Sequence, residues 1–176
     1  MSEEIIRGMD HIGITVSDID EATKFFKEAF SAEVIYDSVS LADEDVQGDE
    51  TEKTLNLFPG TRIKAVRMMK LRHGPGLELF EMEGPEQNSP QRPSDFGIQH
   101  FAVYVDDITE AARRFEAAGG KTYTAPQPIM FAAEAAEGNL FCYGQTPWGT
   151  VIELISLPSP LPYEKDTVLR RWKPQQ

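Results

Sequence analysis

An internal repeat constrains this chain more than any other feature. His11, Val16, Asp18, Ile19, Glu21, Ala22, Phe26 and Ala29 recur, at an offset of 89 residues, as His100, Val105, Asp107, Ile108, Glu110, Ala111, Phe115 and Ala118. In each copy an alternating apolar segment runs into one whose apolar residues return at helical spacing. The first helix carries Ile19, Ala22, Phe25, Phe26, Ala29 and Phe30, with Ser17 as its expected N-cap. The second carries Ile108, Ala111, Ala112, Phe115 and Ala118 and should stop at Gly119-Gly120. The pattern specifies a duplicated strand–helix–strands module.

Each copy also closes on a matching strand, Gly76–Phe80 in the first and Thr150–Ile155 in the second. Between helix and closing strand lie Glu33–Ser38 and Arg62–Leu71 in the first copy, and Lys121–Ala125 and Asn139–Tyr143 in the second. The expectation is an α+β chain of two βαβββ modules with eight strands, the modules covering about 8–82 and 98–156 of a single domain 1–156. Residues 43–52 are strongly acidic and 83–97 are rich in Pro, Gln and Ser, so both read as solvated loops. The stretch 157–176 reads as an extended arm, whose Trp172 is expected to dock on the body or on a second subunit.

Side-chain direction follows from the two-residue period of a strand. Ile12, Ile14 and Val16 face one way and His11 the other; Phe101, Val103 and Val105 oppose His100. Leu77 and Leu79 oppose Glu78, and Ile152 and Leu154 oppose Glu153. The large aliphatics of all four strands therefore form a helix-covered face, and one ligand-type side chain per strand points away from it. A lone strand histidine is more often a hydrogen-bonded structural residue than a ligand. A lone glutamate is a poorer structural choice, because burying an unpaired carboxylate is costly. Four such residues at equivalent places in two copies point to a shared divalent metal, with His11, Glu78, His100 and Glu153 as the set. His73 has no repeat equivalent and reads as surface, while Cys142 reads as a small core residue.

Charge narrows the partners. Seventeen basic against 29 acidic residues give a formal charge of −12, which argues against a phosphate backbone as ligand. No apolar run approaches a membrane span, and the start Met1-Ser2-Glu3-Glu4 is acidic rather than signal-like. The single cysteine fits a reducing, cytoplasmic setting.

Asp10-His11-Ile12-Gly13 before a capped helix, Gln99-His100-Phe101-Ala102 before its copy, Leu77-Glu78-Leu79 and Thr146–Leu154 resemble the vicinal oxygen chelate superfamily. That group includes glyoxalase I, methylmalonyl-CoA epimerase, extradiol dioxygenases and fosfomycin or bleomycin resistance proteins. The resemblance implies paired βαβββ modules forming a curved eight-stranded sheet around a metal cleft. It places His11, Glu78, His100 and Glu153 at the family's ligand positions, around Ni, Zn, Co, Mn or Fe.

Family membership does not fix the reaction. Glyoxalase I-like chains tend to carry a glutathione-binding arginine on the strand after the first helix, and Glu33–Ser38 has none. Epimerase-like chains carry a second glutamate on the third strand of the first module, where Arg67 stands here. Arg67, Tyr143 and Trp148 are the candidate substrate-binding residues, Trp148 either as an apolar lid or as a cover for its turn. The reading favoured is a lyase or isomerase that acts on a small carbonyl compound through an enolate chelated by the metal, with Glu78 or Glu153 as the base. The alternatives are an Fe(II) ring-cleaving dioxygenase and a non-catalytic protein that binds a small molecule. Exposed sheet edges and the arm lead to the expectation of a homodimer.

Overall fold

The protein, analysed as a computed structural model, is described over residues 6–174; the acidic start Met1–Glu4 lies outside the described residues. The chain runs β1 (His11–Val16), α1 (Ile19–Phe30), β2 (Glu33–Val39), α2 (Asp49–Leu55), β3 (Arg62–Lys70) and β4 (Gly76–Glu83). It continues through β5 (Phe101–Tyr104), α3 (Ile108–Ala117), β6 (Lys121–Thr122), β7 (Gln127–Pro128), β8 (Leu140–Gln145) and β9 (Val151–Ser156) to a 3₁₀ turn at Pro162–Lys165. Two compact units result. One takes the described residues through Thr23 together with Ser31–Gln87, and the other takes Lys24–Phe30 with Asn88 onward.

The first unit holds a four-stranded sheet in the order β1-β4-β3-β2. Its first strand pairs parallel with its last, setting His11 opposite Gly76 and Gly13 opposite Glu78. Ile14, Val16, Leu77, Leu79 and Met69 are buried, as are Ile19 and Ala22 of the helix. The helix is capped by Asp18 rather than Ser17, because the Asp18 carboxylate accepts from both the Asp20 and Glu21 N–H groups at 2.9 and 2.8 Å. A carboxylate also suits the positive end of a helix better than a hydroxyl does. The next orphan donor, the Ile19 N–H, reaches Glu81 Oε2 of β4 at 2.8 Å and pins the helix start to the sheet.

The acidic run 43–52 is only partly a loop. Asp49, Glu50 and Glu52 form the first turn of α2, where negative charge offsets the helix dipole, and Asn56 closes the helix in a left-handed conformation. His73 is exposed, as its sequence context implied.

The second unit repeats the plan. Its sheet runs β5-β9-β8-β6, with β7 also paired to β8, and β5 lies parallel to β9. Helix α3 is capped by Asp107, the repeat partner of Asp18, whose side chain accepts from the Glu110 N–H. It ends where Gly119 takes φ 104°, with the Gly119 and Gly120 N–H groups donating to the Glu116 and Phe115 carbonyls. Phe25 stacks edge-on against Phe115 and Trp148, with ring centroids 5.3 Å apart in both pairs. Cys142 is buried, as expected of a core residue.

The single curved eight-stranded sheet that the resemblance implied is not the hydrogen-bonded arrangement. The strands form two sheets, nine strands among the described residues, because only Lys121–Thr122 of the segment expected at 121–125 is strand and a further short strand, β7, follows at Gln127–Pro128.

Candidate functional site: two histidine–glutamate pairs

In the first unit, the β1–β4 pairing brings the two ligand-type side chains together across adjacent parallel strands. His11 Nε2 lies 3.2 Å from Glu78 Oε2, and the side chains are 39% and 22% exposed. The other ring nitrogen, Nδ1, donates to Asp10 Oδ2 at 2.8 Å. That hydrogen bond is the main reason the His11 pKa is raised, with the Glu78 charge adding to it. Opposite Glu78 on β3 stands Met68, which is buried, so the pair rests on an apolar floor.

The second unit builds the same constellation. His100 Nε2 lies 3.0 Å from Glu153 Oε2, with side chains 23% and 13% exposed, while Nδ1 donates to Gln99 Oε1 at 2.9 Å. Tyr143 sits opposite Glu153 on β8, its ring edge-on to His100 at 4.9 Å between centroids. Burial raises the Glu153 pKa, opposed mainly by His100. Burial also raises the Tyr143 pKa, and the Glu153 and Glu134 carboxylates push it further.

The orientation of the imidazoles decides what these pairs can hold. With Nδ1–H committed to Asp10 or Gln99, the Nε2 lone pair faces a carboxylate oxygen, and two acceptors at 3.0–3.2 Å need a cation between them. A proton satisfies that need, and so does a metal ion. Ligands bonded to one ion at about 2.1 Å and roughly at right angles are about 3.0 Å apart, so the observed separations suit shared coordination. An outer partner on Nδ1 is also the usual companion of a metal-binding histidine. Among the described residues no group of three or more His, Cys, Asp or Glu side chains is assembled. Each unit supplies one pair.

The other candidates fall elsewhere. Arg67 pairs with Leu79 rather than with Glu78, and so lies on the helix-covered side of its sheet. Its guanidinium is taken up by Asp37 at 2.6 and 3.2 Å, Asp20 at 2.8 Å and Thr23 at 2.9 Å, and only 16% of the side chain is exposed. Those carboxylates hold its pKa well above the ordinary arginine value. Trp148 packs on Phe25 and Phe26, and its Nε1 is buried with no hydrogen-bond partner. Of the three candidates for substrate binding, only Tyr143 stands beside a histidine–glutamate pair.

Fold and site define a class, and comparison with known proteins agrees. Residues 8–154 match the Glyoxalase/Bleomycin resistance protein/Dioxygenase superfamily, and the chain belongs to that family. Among curated relatives, a 2-epi-5-epi-valiolone epimerase from Actinomyces sp. is 35% identical over 167 residues, spanning 94% of this chain and 87% of the relative. Among solved structures, a glyoxalase family protein from Bacillus cereus matches with a TM-score of 0.65 at 20% identity, over 89% of this chain and 97% of that one. The fosfomycin resistance protein FosX from Listeria monocytogenes matches with a TM-score of 0.56 at 18% identity, over 86% and 94%. At these identities the structural matches speak for the fold. No helix among the described residues is long and apolar enough to cross a membrane.

Proposed function

We propose that this protein is an isomerase of the epimerase type, which inverts a carbon next to the carbonyl of a small ketone. His11, Glu78, His100 and Glu153 would together hold one divalent ion from the Ni, Zn, Co, Mn and Fe group. The supporting observation is the duplicated pair, in which an imidazole fixed through Nδ1 turns its free nitrogen onto a carboxylate. The 35% identical relative is named as an epimerase of a ketone, which fits the same reaction type.

A four-ligand centre takes two ligands from each module, either within one chain or across a homodimer. Bound there, the ion supplies Lewis-acid polarisation of the substrate carbonyl, which acidifies the neighbouring C–H. The chain's own residues then move the proton. Inversion requires a proton to leave one face of the carbon and another to reach the opposite face, so two acid–base groups are needed. Glu153 would take the proton through its carboxylate. The opposite face would be reprotonated by Glu78 or by water, and exchange with water would restore the starting state. Tyr143 stands opposite Glu153 on β8 with its ring edge-on to His100, at the rim of this pair.

The test is α-proton exchange. Metal-loaded protein is incubated anaerobically with small hydroxyketones in D₂O, and loss of the α-proton signal is followed by NMR. Exchange with a redox-inert divalent ion, abolished by chelator, is the expected result. Full exchange by chelator-stripped His100→Ala protein would overturn the reading. Oxygen consumption requiring Fe(II) would replace it with ring cleavage.

A further inference from the structure

Helix α2 is seven residues long and buries none of them. A helix that short does not hold its shape in water by its own hydrogen bonds, so it gains most from a neighbour that packs on it. Asp49, Glu50, Thr54 and Leu55 line a cleft of about 460 Å³ there, and Leu55 and the following Phe58 are half exposed. Glu44, Asp49 and Glu50 have no cationic partner among the described residues. The cleft belongs to the sheet edge that β2 occupies. Val46, just ahead of α2, exchanges both backbone hydrogen bonds with Ile63 on the side of β3 away from β4.

The C-terminal arm of the second unit offers a matching surface. Tyr163 anchors it, packing with Phe141 and Tyr104 on the buried cluster Ile129, Ile155, Leu157 and Leu161. The Arg171 N–H donates to the Tyr163 hydroxyl at 2.8 Å, and Arg170 Nη1 donates to the Thr167 and Leu169 carbonyls at 2.6 and 2.9 Å. The arm so braced holds Val168 and Leu169 out into solvent, 91% and 75% exposed, with Trp172 beyond them. Lys165, Arg170 and Lys173 have no carboxylate partner among the described residues. Large apolar side chains gathered on a braced, basic segment mark a contact surface.

We propose that the arm of one copy docks in the α2 cleft of a second copy, and that two such contacts, related by a two-fold axis, clasp a homodimer. The surfaces match in both respects that matter. Val168, Leu169 and Trp172 meet the apolar wall at Leu55 and Phe58, while Lys165, Arg170 and Lys173 face Glu44, Asp49 and Glu50. At a formal charge of −12 two copies repel one another in general, so contact is favoured where a basic segment of one meets an acidic surface of the other. A two-fold dimer also requires that one chain carry both halves of its contact, and this chain does. The exposed edge of β2, at the same side of its sheet as the cleft, joins the interface.

The experiment is sedimentation velocity of the full chain with two charge-reversed proteins. One carries Lys165→Glu, Arg170→Glu and Lys173→Glu on the arm; the other carries Glu44→Lys, Asp49→Lys and Glu50→Lys at the cleft. Each alone places like charges in both contacts and should raise the dimer Kd at least about 10-fold. Mixed together, each reversed surface meets its complement, so the two proteins should form a heterodimer with each other while neither pairs with itself. Leu169→Ser, which alters no charge, should also weaken the wild-type dimer. A wild type that sediments as a monomer of 19.7 kDa overturns the inference. So does a dimer that survives both reversals, or a mixture that restores no association. Binding of wild-type monomer to phosphatidylglycerol vesicles, lost on arm reversal, would assign the arm to an anionic lipid surface and overturn it as well.

Discussion

On the proposed mechanism Glu153 is both metal ligand and base, and a single substitution can separate the two duties. Glu153→Gln keeps an oxygen that can face a cation but removes charge and basicity. Metal affinity, read by equilibrium dialysis, should fall modestly while α-proton exchange falls by at least about 10²-fold, the lower end of general-base contributions. His100→Ala removes a ligand outright and should lose the metal by the same measurement. The facing of these four residues was legible in the sequence, because strand alternation has only two outcomes and the repeat supplied each of them twice. Arg67 was not legible. Its direction depends on pairing with Leu79, and its saturation depends on Asp20 and Asp37, which are distant in sequence. Trp172 of the C-terminal arm, expected to dock on the body or a second subunit, remains 59% exposed.

At the scale of elements, the repeat foretold helix positions to within a residue of their caps. Asp18 and Asp107 occupy equivalent places and both act as caps, although only the local hydrogen bonds show that Ser17 does not. The charges on α3 give the helix a pH signature. Arg113 and Arg114 hold the Glu110 carboxyl at a pKa of about 2, below the ordinary carboxylate range. A depressed carboxylate stabilises the fold above its unfolded pKa, and that contribution is lost as pH falls from about 4 toward 2. Glu110→Gln should flatten the fall in denaturation midpoint across that window without moving the midpoint's pH dependence near neutrality. The packing of α3 is checked at Gly144, where an added Cβ would stand 2.6 Å from Phe115 Cε1 and 3.2 Å from the Lys121 carbonyl oxygen. Gly144→Ala should cost about 1–3 kcal/mol in urea denaturation, the usual range for overpacking.

For the whole molecule, the edge strand β2 sets the expectation. Val34, Ile35 and Tyr36 stand exposed on a strand with one unpaired side, the kind of surface a soluble protein covers. Sedimentation at micromolar concentration should return a homodimer mass, about twice 19.7 kDa, and Ile35→Lys should shift the protein toward monomer. The number of strands and their grouping into two sheets lay beyond the sequence pattern, since alternation specifies faces and not hydrogen-bonded neighbours. The parallel pairing of each module's first strand with its last has a kinetic consequence. His100 and Glu153 are 53 residues apart in the chain, and their meeting closes the longest loop of their sheet. Contacts of that span carry the largest entropic cost and slow the folding of such topologies. During synthesis, neither histidine–glutamate pair exists until its module's final strand has emerged, so each pair is assembled only together with its whole module.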